Sequence, residues 1–212
     1  MNIPRITYYS RRHFWAWLNI VWNRVDNDRI QEVGPDLACA EWLMRNGALV
    51  KWAGKADYLK DYDSLKEGEG KGGYYIEEID ATEASIMHVG FPHFHGCKHI
   101  KKIKLQRCSN VEDKALKSLE ILKNSLQHLQ VISCGNVTDK GVKSLTTLVN
   151  LETLLLYDLP EVKCCKDCAL ILQESLPKCQ VDYRVTEHPH KRYHSTADCP
   201  QDTPEKKTNI RE

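Results

Sequence analysis

The side chains with the widest chemical reach in this chain are its nine cysteines and nine histidines. Cys165-Lys166-Asp167-Cys168 has the spacing of a redox dithiol, which works when a low-pKa thiolate opens a helix after a strand. A zinc site would need a second Cys/His pair at matching spacing, and neither Cys164 nor Cys179 supplies one. The CxxC therefore reads as cysteines on a helix face. His93-Phe94-His95 stands near Cys97 and His99, a composition that suits a metal, but the segment reads better as a loop between structural units. Glu77 and Glu78 are adjacent on a segment of strand character, so they face opposite sides and cannot share acid–base work. His188-Pro189-His190, His194 and Cys199 sit where apolar residues are scarce, with no frame to hold ligands. No P-loop, G-x-S-x-G or H-E-x-x-H occurs. The expectation is a protein that is not an enzyme.

An odd cysteine count cannot pair fully within one chain, and no uninterrupted apolar leader is visible, so the thiols are expected to be mostly reduced and intracellular. Thirty Lys+Arg against 29 Asp+Glu leave a net charge of +1, which argues against a nucleic-acid binder and against an acidic tail protein. With 212 residues, 42% of them apolar, the chain suits one domain with a small appendage. No apolar run reaches the roughly 18 residues of a transmembrane helix.

The elements that must position these residues come from a repeat. Ile100-x-x-Ile103-x-Leu105-x-x-Cys108 is matched by Leu126-x-x-Leu129-x-Val131-x-x-Cys134 and by Leu151-x-x-Leu154-x-Leu156-x-x-Leu159. Ile76-x-x-Ile79-x-Ala81-x-x-Ala84 precedes them, and the starts at 76, 100, 126 and 151 are 24, 26 and 25 residues apart. This is the period of a leucine-rich repeat of the Cys type, and four such units predict a short α/β solenoid. The L-x-L core is a strand whose apolar residues point inward. Cys108 and Cys134 fill a packed turn, where a small apolar side chain fits, and Asp113 and Asp139 open return helices. The alternate strand residues are expected on the concave face in three rows: Glu78, Lys102, His128, Thr153; Asp80, Lys104, Gln130, Leu155; Thr82, Gln106, Ile132, Tyr157. Partners normally bind there. The candidate contact residues are Asp80, Lys102, Lys104, Gln106, His128, Gln130, Ile132, Leu155 and Tyr157.

Ahead of the repeats, residues 13–53 read as a helical amino-terminal domain that caps the stack. Phe14, Trp17, Leu18, Val21 and Val25 make one helical stripe, flanked by Arg11, Arg12 and Arg24. The stripe suits either packing on the next helix or a membrane interface, and packing is the favoured reading. Gly34-Pro35-Asp36 puts Pro at a first helical position, and Asn46-Gly47 ends that helix with Gly in the left-handed conformation. Residues 1–12 are a basic arm in an acid-free stretch, either a presequence-like segment or a plain arm. Residues 54–73 hold many charges and Gly68, Gly70, Gly72 and Gly73, a linker. The repeats occupy 74–183, with a last helix from Asp167 to Leu176, and 184–212 is expected to be a disordered tail.

Several runs then carry a resemblance. Phe14-Trp15-Ala16-Trp17-Leu18-Asn19, Asp28-Arg29-Ile30, Val33-Gly34-Pro35-Asp36, Glu41-Trp42-Leu43, Arg45-Asn46-Gly47-Ala48, Ile79-Asp80-Ala81-Thr82, Ile132-Ser133-Cys134-Gly135-Asn136 and Asp158-Leu159-Pro160 resemble mitochondrial ATP synthase coupling factor B, also called subunit s, over roughly residues 12–183. The repeats also resemble the assembly factor of the complex I distal membrane arm. The resemblance implies a peripheral, matrix-side protein of the mitochondrial inner membrane. It implies partnership with ATP synthase membrane-sector subunits, proton-coupled ATP synthesis supported by limiting proton leak, and no small-molecule substrate. It also implies a Mg²⁺ held partly by the main-chain carbonyls of Gly47 and Thr82. One departure stands out: where family members with a proposed dithiol carry C-x-C, this chain has Gln106-Arg107-Cys108, which argues against a vicinal-dithiol mechanism. Two alternatives stay open: assembly of complex I, and a leucine-rich-repeat adaptor, which the basic acid-free start argues against.

Overall fold

The computed structural model describes residues 17–67 and 74–184. The basic arm 1–12, the glycine-rich part of the linker and nearly all of the tail lie outside the described residues, as do Phe14, His188, His190, His194 and Cys199.

Residues 17–23 are helical, and two further helices follow, α1 (Asn27–Val33) and α2 (Pro35–Arg45). The side chain of Asp26 caps α1 by accepting from the Arg29 N–H, and Pro35 opens α2 at a position whose N–H has no helical partner. Arg29 clamps the two helices together: its Nε donates to both oxygens of the buried Glu41, at 3.0 and 3.2 Å. Past α2, Gly47 takes φ +87°, and the Ala48 N–H donates to the Leu43 carbonyl at 2.9 Å, which satisfies an orphan helix carbonyl.

The predicted stripe on the first helix is not its packed side. Trp17 is 55% exposed, Leu18 and Val21 are only half-buried, and the helix stops before Val25. Its buried residue is Asn23. The physical reason is a polar hub: Asn23 Nδ2 donates to the carbonyls of Asn19 and Ser85 and to Oδ1 of Asn46, while Asn23 Oδ1 accepts from the Trp42 indole and the Met87 N–H. Those partners fix the rotation of the helix more firmly than its apolar side chains do.

The rest is one six-stranded sheet in the order β1 (Leu49–Trp52), β2 (Ile76–Thr82), β3 (Lys102–Gln106), β4 (His128–Ile132), β5 (Thr153–Tyr157), β6 (Gln180–Arg184). β1 and β2 are antiparallel and every later pair is parallel. The connections after β3, β4 and β5 run through α4 (Asp113–Ser118), α5 (Asp139–Ser144) and α6 (Cys165–Ser175); the short α3 (Ser64–Glu67) lies between β1 and β2. The sequence period becomes pairing register directly: Ile79, Ile103, Leu129 and Leu154 are level with one another, as are Ala81, Leu105, Val131 and Leu156, and all eight are buried. Two strands lie outside the four predicted ones. β1 falls in the segment expected to be helical, and β6 follows the last helix. The linker is also more than a loop: Leu59 bridges to Val50, and α3 buries Leu65.

Side chains tie each unit to the next. Asp113 accepts from Thr138 N and Thr138 Oγ1, both at 2.7 Å, and one unit later Asp139 accepts from Cys164 N at 2.7 Å and Lys163 N at 3.1 Å. Cys108 and Cys134 are fully buried, and their thiols reach back to the carbonyls of Ala81 and Leu105. A third tie uses Glu83, Arg107, Ser133 and Asp158, the residues after β2 to β5, all with positive φ. Each turns its N–H onto the carbonyl of Gln106, Ile132, Tyr157 or Arg184 in the next strand. The repeated cost of left-handed backbone is offset by a repeated hydrogen bond.

Candidate functional site

The alternate residues of the strands lie on one open face of the sheet, in the three expected rows. Glu78, Lys102, His128 and Thr153 are in register, then Asp80, Lys104, Gln130 and Leu155, then Thr82, Gln106, Ile132 and Tyr157. β6 extends the rows with Gln180, Asp182 and Arg184, and antiparallel β1 adds Lys51 beside Glu78. All nine candidate contact residues therefore share this face, and Tyr157 is the most exposed large apolar one at 38%.

Electrostatics divide it. Glu78 accepts from Lys51 Nζ at 2.6 Å and from the Tyr58 hydroxyl at 2.8 Å, and pairs with Lys102 Nζ at 3.2 Å. Burial alone would raise the Glu78 pKa, but these three donors outweigh it and hold the carboxyl at about 2. Asp80 pairs with Lys104 at 3.3 Å and accepts from the Thr82 N–H at 3.0 Å and from the Thr82 hydroxyl. On β4 and β5 the same rows hold no carboxylate, Lys or Arg; His128 Nδ1 meets Thr153 Oγ1 at 2.9 Å. On the opposite face Glu77 pairs with Lys101, so the adjacent carboxylates Glu77 and Glu78 work separately.

The two positions implied for Mg²⁺ lie at the ends of the β1–β2 pair: Gly47 stands two residues before Leu49, which pairs with Asp80, and Thr82 ends β2. The contacts of the Gly47 stretch run to the next residues, with the Ser85 N–H donating to the Asn46 carbonyl at 2.8 Å. A Cβ on Gly47 would meet only the Ala84 Cα, at 3.9 Å, so the backbone there is close but not crowded. Main-chain carbonyl oxygens are hard donors of the kind Mg²⁺ accepts, so the donor chemistry fits. Asp80, which accepts from the Thr82 N–H, is also paired with Lys104. Among the described residues no group of three or more His, Cys, Asp or Glu side chains collects.

The other cysteine and histidine clusters are absorbed by packing. His93 is buried, stacks on Trp42 with centroids 4.9 Å apart, and meets the Gly90 carbonyl through Nδ1; burial lowers its pKa. Cys165 and Cys168 do open a helix. Burial and Asp139 push the Cys168 thiol up to about 12, the opposite of a redox nucleophile. Seven cysteines, Cys39, Cys97, Cys108, Cys134, Cys165, Cys168 and Cys179, are free thiols.

Sequence reasoning missed Tyr58, which brings the linker onto the open face through Glu78, and Lys51, which does so from β1. Leu49-Val50-Lys51-Trp52 is too short to display a strand period. Nothing local marks Tyr58.

No family model matches the chain. It is similar to curated mitochondrial proteins named ATP synthase subunit s. With those of Homo sapiens and Pongo abelii it is 44% identical over 177 residues, 82% of this chain and 88% of each relative. With that of Bos taurus it is 44% identical over 173 residues, 80% of this chain and 86% of the relative.

Proposed function

The chain belongs to the mitochondrial ATP synthase subunit s family, that of coupling factor B, and from that membership we propose that it is a non-catalytic subunit associated with mitochondrial ATP synthase. It acts at the membrane sector, peripherally and from the matrix side of the inner membrane, and supports proton-coupled ATP synthesis by limiting proton leak. The observation that carries this reading is the 44% identity along 82% of the chain. The attachment it requires is peripheral; among the described residues no helix is long and apolar enough to cross a membrane.

In this reading the stacked units are a four-repeat, Cys-type leucine-rich-repeat solenoid, capped by the helices before β1. Its support is the common register of β2 to β5, the recurring Asp113 and Asp139 ties, and the buried Cys108 and Cys134. The open face is the partner surface. Gly47 and Thr82 would lend carbonyl oxygens to a Mg²⁺ that keeps several waters, and such an ion would tie the junction between the helical cap and the first strand pair.

The test is affinity purification of the tagged full chain from mitochondria, with quantitative mass spectrometry of what accompanies it. Enrichment of ATP synthase membrane-sector subunits is expected. Enrichment of complex I membrane-arm assembly intermediates without ATP synthase would overturn the reading and move the function to assembly.

A further inference from the structure

The charges of the open face stop at β3 and resume only at β6, with Asp182 and Arg184. On β1 to β3 stand Lys51, Lys102 and Lys104 against Glu78 and Asp80, three cations to two anions. On β4 and β5, Ile132 and Tyr157 are register neighbours and Leu155 lies one row above on the same face. Tyr157 is exposed, and Ile132 and Leu155 beside it are half-buried; single exposed apolar residues are ordinary, but three adjoining apolar side chains that reach one sheet face are not. Beyond the strand ends the patch is bordered by the Arg107–Glu83 ion pair at 2.9 Å and by the Ser133 hydroxyl donating to Asp158 at 2.8 Å. On β6, Arg184 Nε donates to Asp182 at 2.9 and 3.0 Å. An apolar centre carrying an aromatic residue, inside an ionic rim, is the layout of a protein interface.

We propose that Ile132, Leu155 and Tyr157 dock an uncharged, apolar segment of the partner protein, and that a carboxylate of the same partner meets Lys102 and Lys104. This rests on the reading that the open face meets ATP synthase, and it specifies the chemistry of the contact. Charge complementarity selects the occupant. A charged group seated over Ile132 would lose its water without gaining a counter-ion, and the charges beside Leu155 and Tyr157, those of Asp182 and Arg184, are already paired with each other, whereas Lys51, Lys102 and Lys104 outnumber Glu78 and Asp80 at the β3 end. A protein segment fits better than acyl chains, because the Gln130 amide and the second ring nitrogen of His128, whose Nδ1 meets Thr153, border the patch and would find no partner in hydrocarbon.

The experiment is co-sedimentation of the full chain, titrated against isolated mitochondrial ATP synthase at low and high salt, for wild type, Tyr157→Ala, Leu155→Gln and Lys102→Gln. Tyr157→Ala and Leu155→Gln are expected to weaken binding about tenfold with the salt dependence unchanged, and Lys102→Gln to weaken it about threefold and flatten the salt dependence. Matching melting curves for Tyr157→Ala and wild type establish that the fold is intact. A benzophenone side chain in place of Tyr157 is expected to cross-link to an uncharged stretch of an ATP synthase subunit. Failure of the wild type to sediment overturns both readings. Wild-type binding that Tyr157→Ala and Leu155→Gln leave unchanged overturns only the docking patch, as does a cross-link to lipid or to this chain's own residues 185–212.

Discussion

The indole N–H of Trp42 donates to Oδ1 of Asn23 at 3.1 Å, and both residues are buried. This bond joins the first helix to α2, and the Asn23 amide carries the link on to the carbonyl of Ser85 at 3.1 Å, beyond β2. Asn23→Ala would strand the Trp42 N–H, the Met87 N–H, the Ser85 carbonyl and Asn46 Oδ1 at once. Each orphaned buried group costs about 1–3 kcal/mol, partly relieved by water, so the expected loss is roughly 2–4 kcal/mol. Urea denaturation of the full chain measures it. A loss under about 0.5 kcal/mol, ordinary for a surface site, would contradict the hub.

Two glycines should respond very differently to the same substitution. A Cβ on Gly90 would lie 2.5 Å from the Trp42 ring, which is held between His93, Phe91 and Phe94. A Cβ on Gly47 finds only ordinary contact, although its φ of +87° disfavours alanine. Gly47→Ala should cost on the order of 1 kcal/mol from backbone strain alone, whereas Gly90→Ala must displace packed aromatics and should cost roughly 3 kcal/mol or more. Thermal melts of the two variants side by side decide it, and equal shifts would mean that the Trp42 cluster yields freely.

Glu78 sets a pH dependence with a definite sign. Its folded pKa, about 2, lies below the ordinary 4.5, so its stabilisation is fully present above about pH 4.5 and disappears as pH falls through about 2. Asp36 opposes it: burial raises its pKa, so ionising Asp36 removes stability as pH rises. The comparison that isolates Glu78 is therefore wild type against Glu78→Gln. The variant should be less stable by roughly 1–3 kcal/mol at pH 7, with the gap narrowing below pH 4.5. Urea midpoints at pH 7 and pH 3 measure both values. A gap that stays constant would assign Glu78 to packing and leave its ion pairs without weight.

How much of this could be read from residues alone depended on range. The rows of the open face were legible because a period of 24–26 residues with an L-x-L core permits one parallel register, and a one-residue slip would expose Ile103, Leu105, Leu129 and Val131. Pro35 and Gly47 were legible because backbone constraints act locally. β1 was not, because four residues behind a helix end are too few to display a period, and β6 because only its pairing with β5 defines it. Asn23 was the instructive failure. An asparagine inside a tryptophan-rich helix looks like an interruption, and only partners 19 to 64 positions away make it the side that packs. The contact chemistry of the open face was partly legible: the run from polar to apolar along the rows through Asp80 and Thr82 follows from residue types, but the pairing of Glu78 with Lys51 and Tyr58 joins residues 20 and 27 positions apart.

The proposed Mg²⁺ makes a prediction that does not depend on activity. An ion held by the folded chain alone stabilises it by mass action, by about 2.7 kcal/mol at a concentration a hundredfold above its dissociation constant. The donors at Gly47 and Thr82 are main-chain carbonyls, so no side-chain substitution deletes them, and the useful variant acts through geometry. Gly47→Ala strains the left-handed backbone that presents one carbonyl. Melting temperature should rise with millimolar Mg²⁺ after chelation, and the rise should shrink in Gly47→Ala beyond its strain cost measured without metal. Melting curves of the wild type that coincide with and without Mg²⁺ would leave Gly47 as a helix terminus and nothing more.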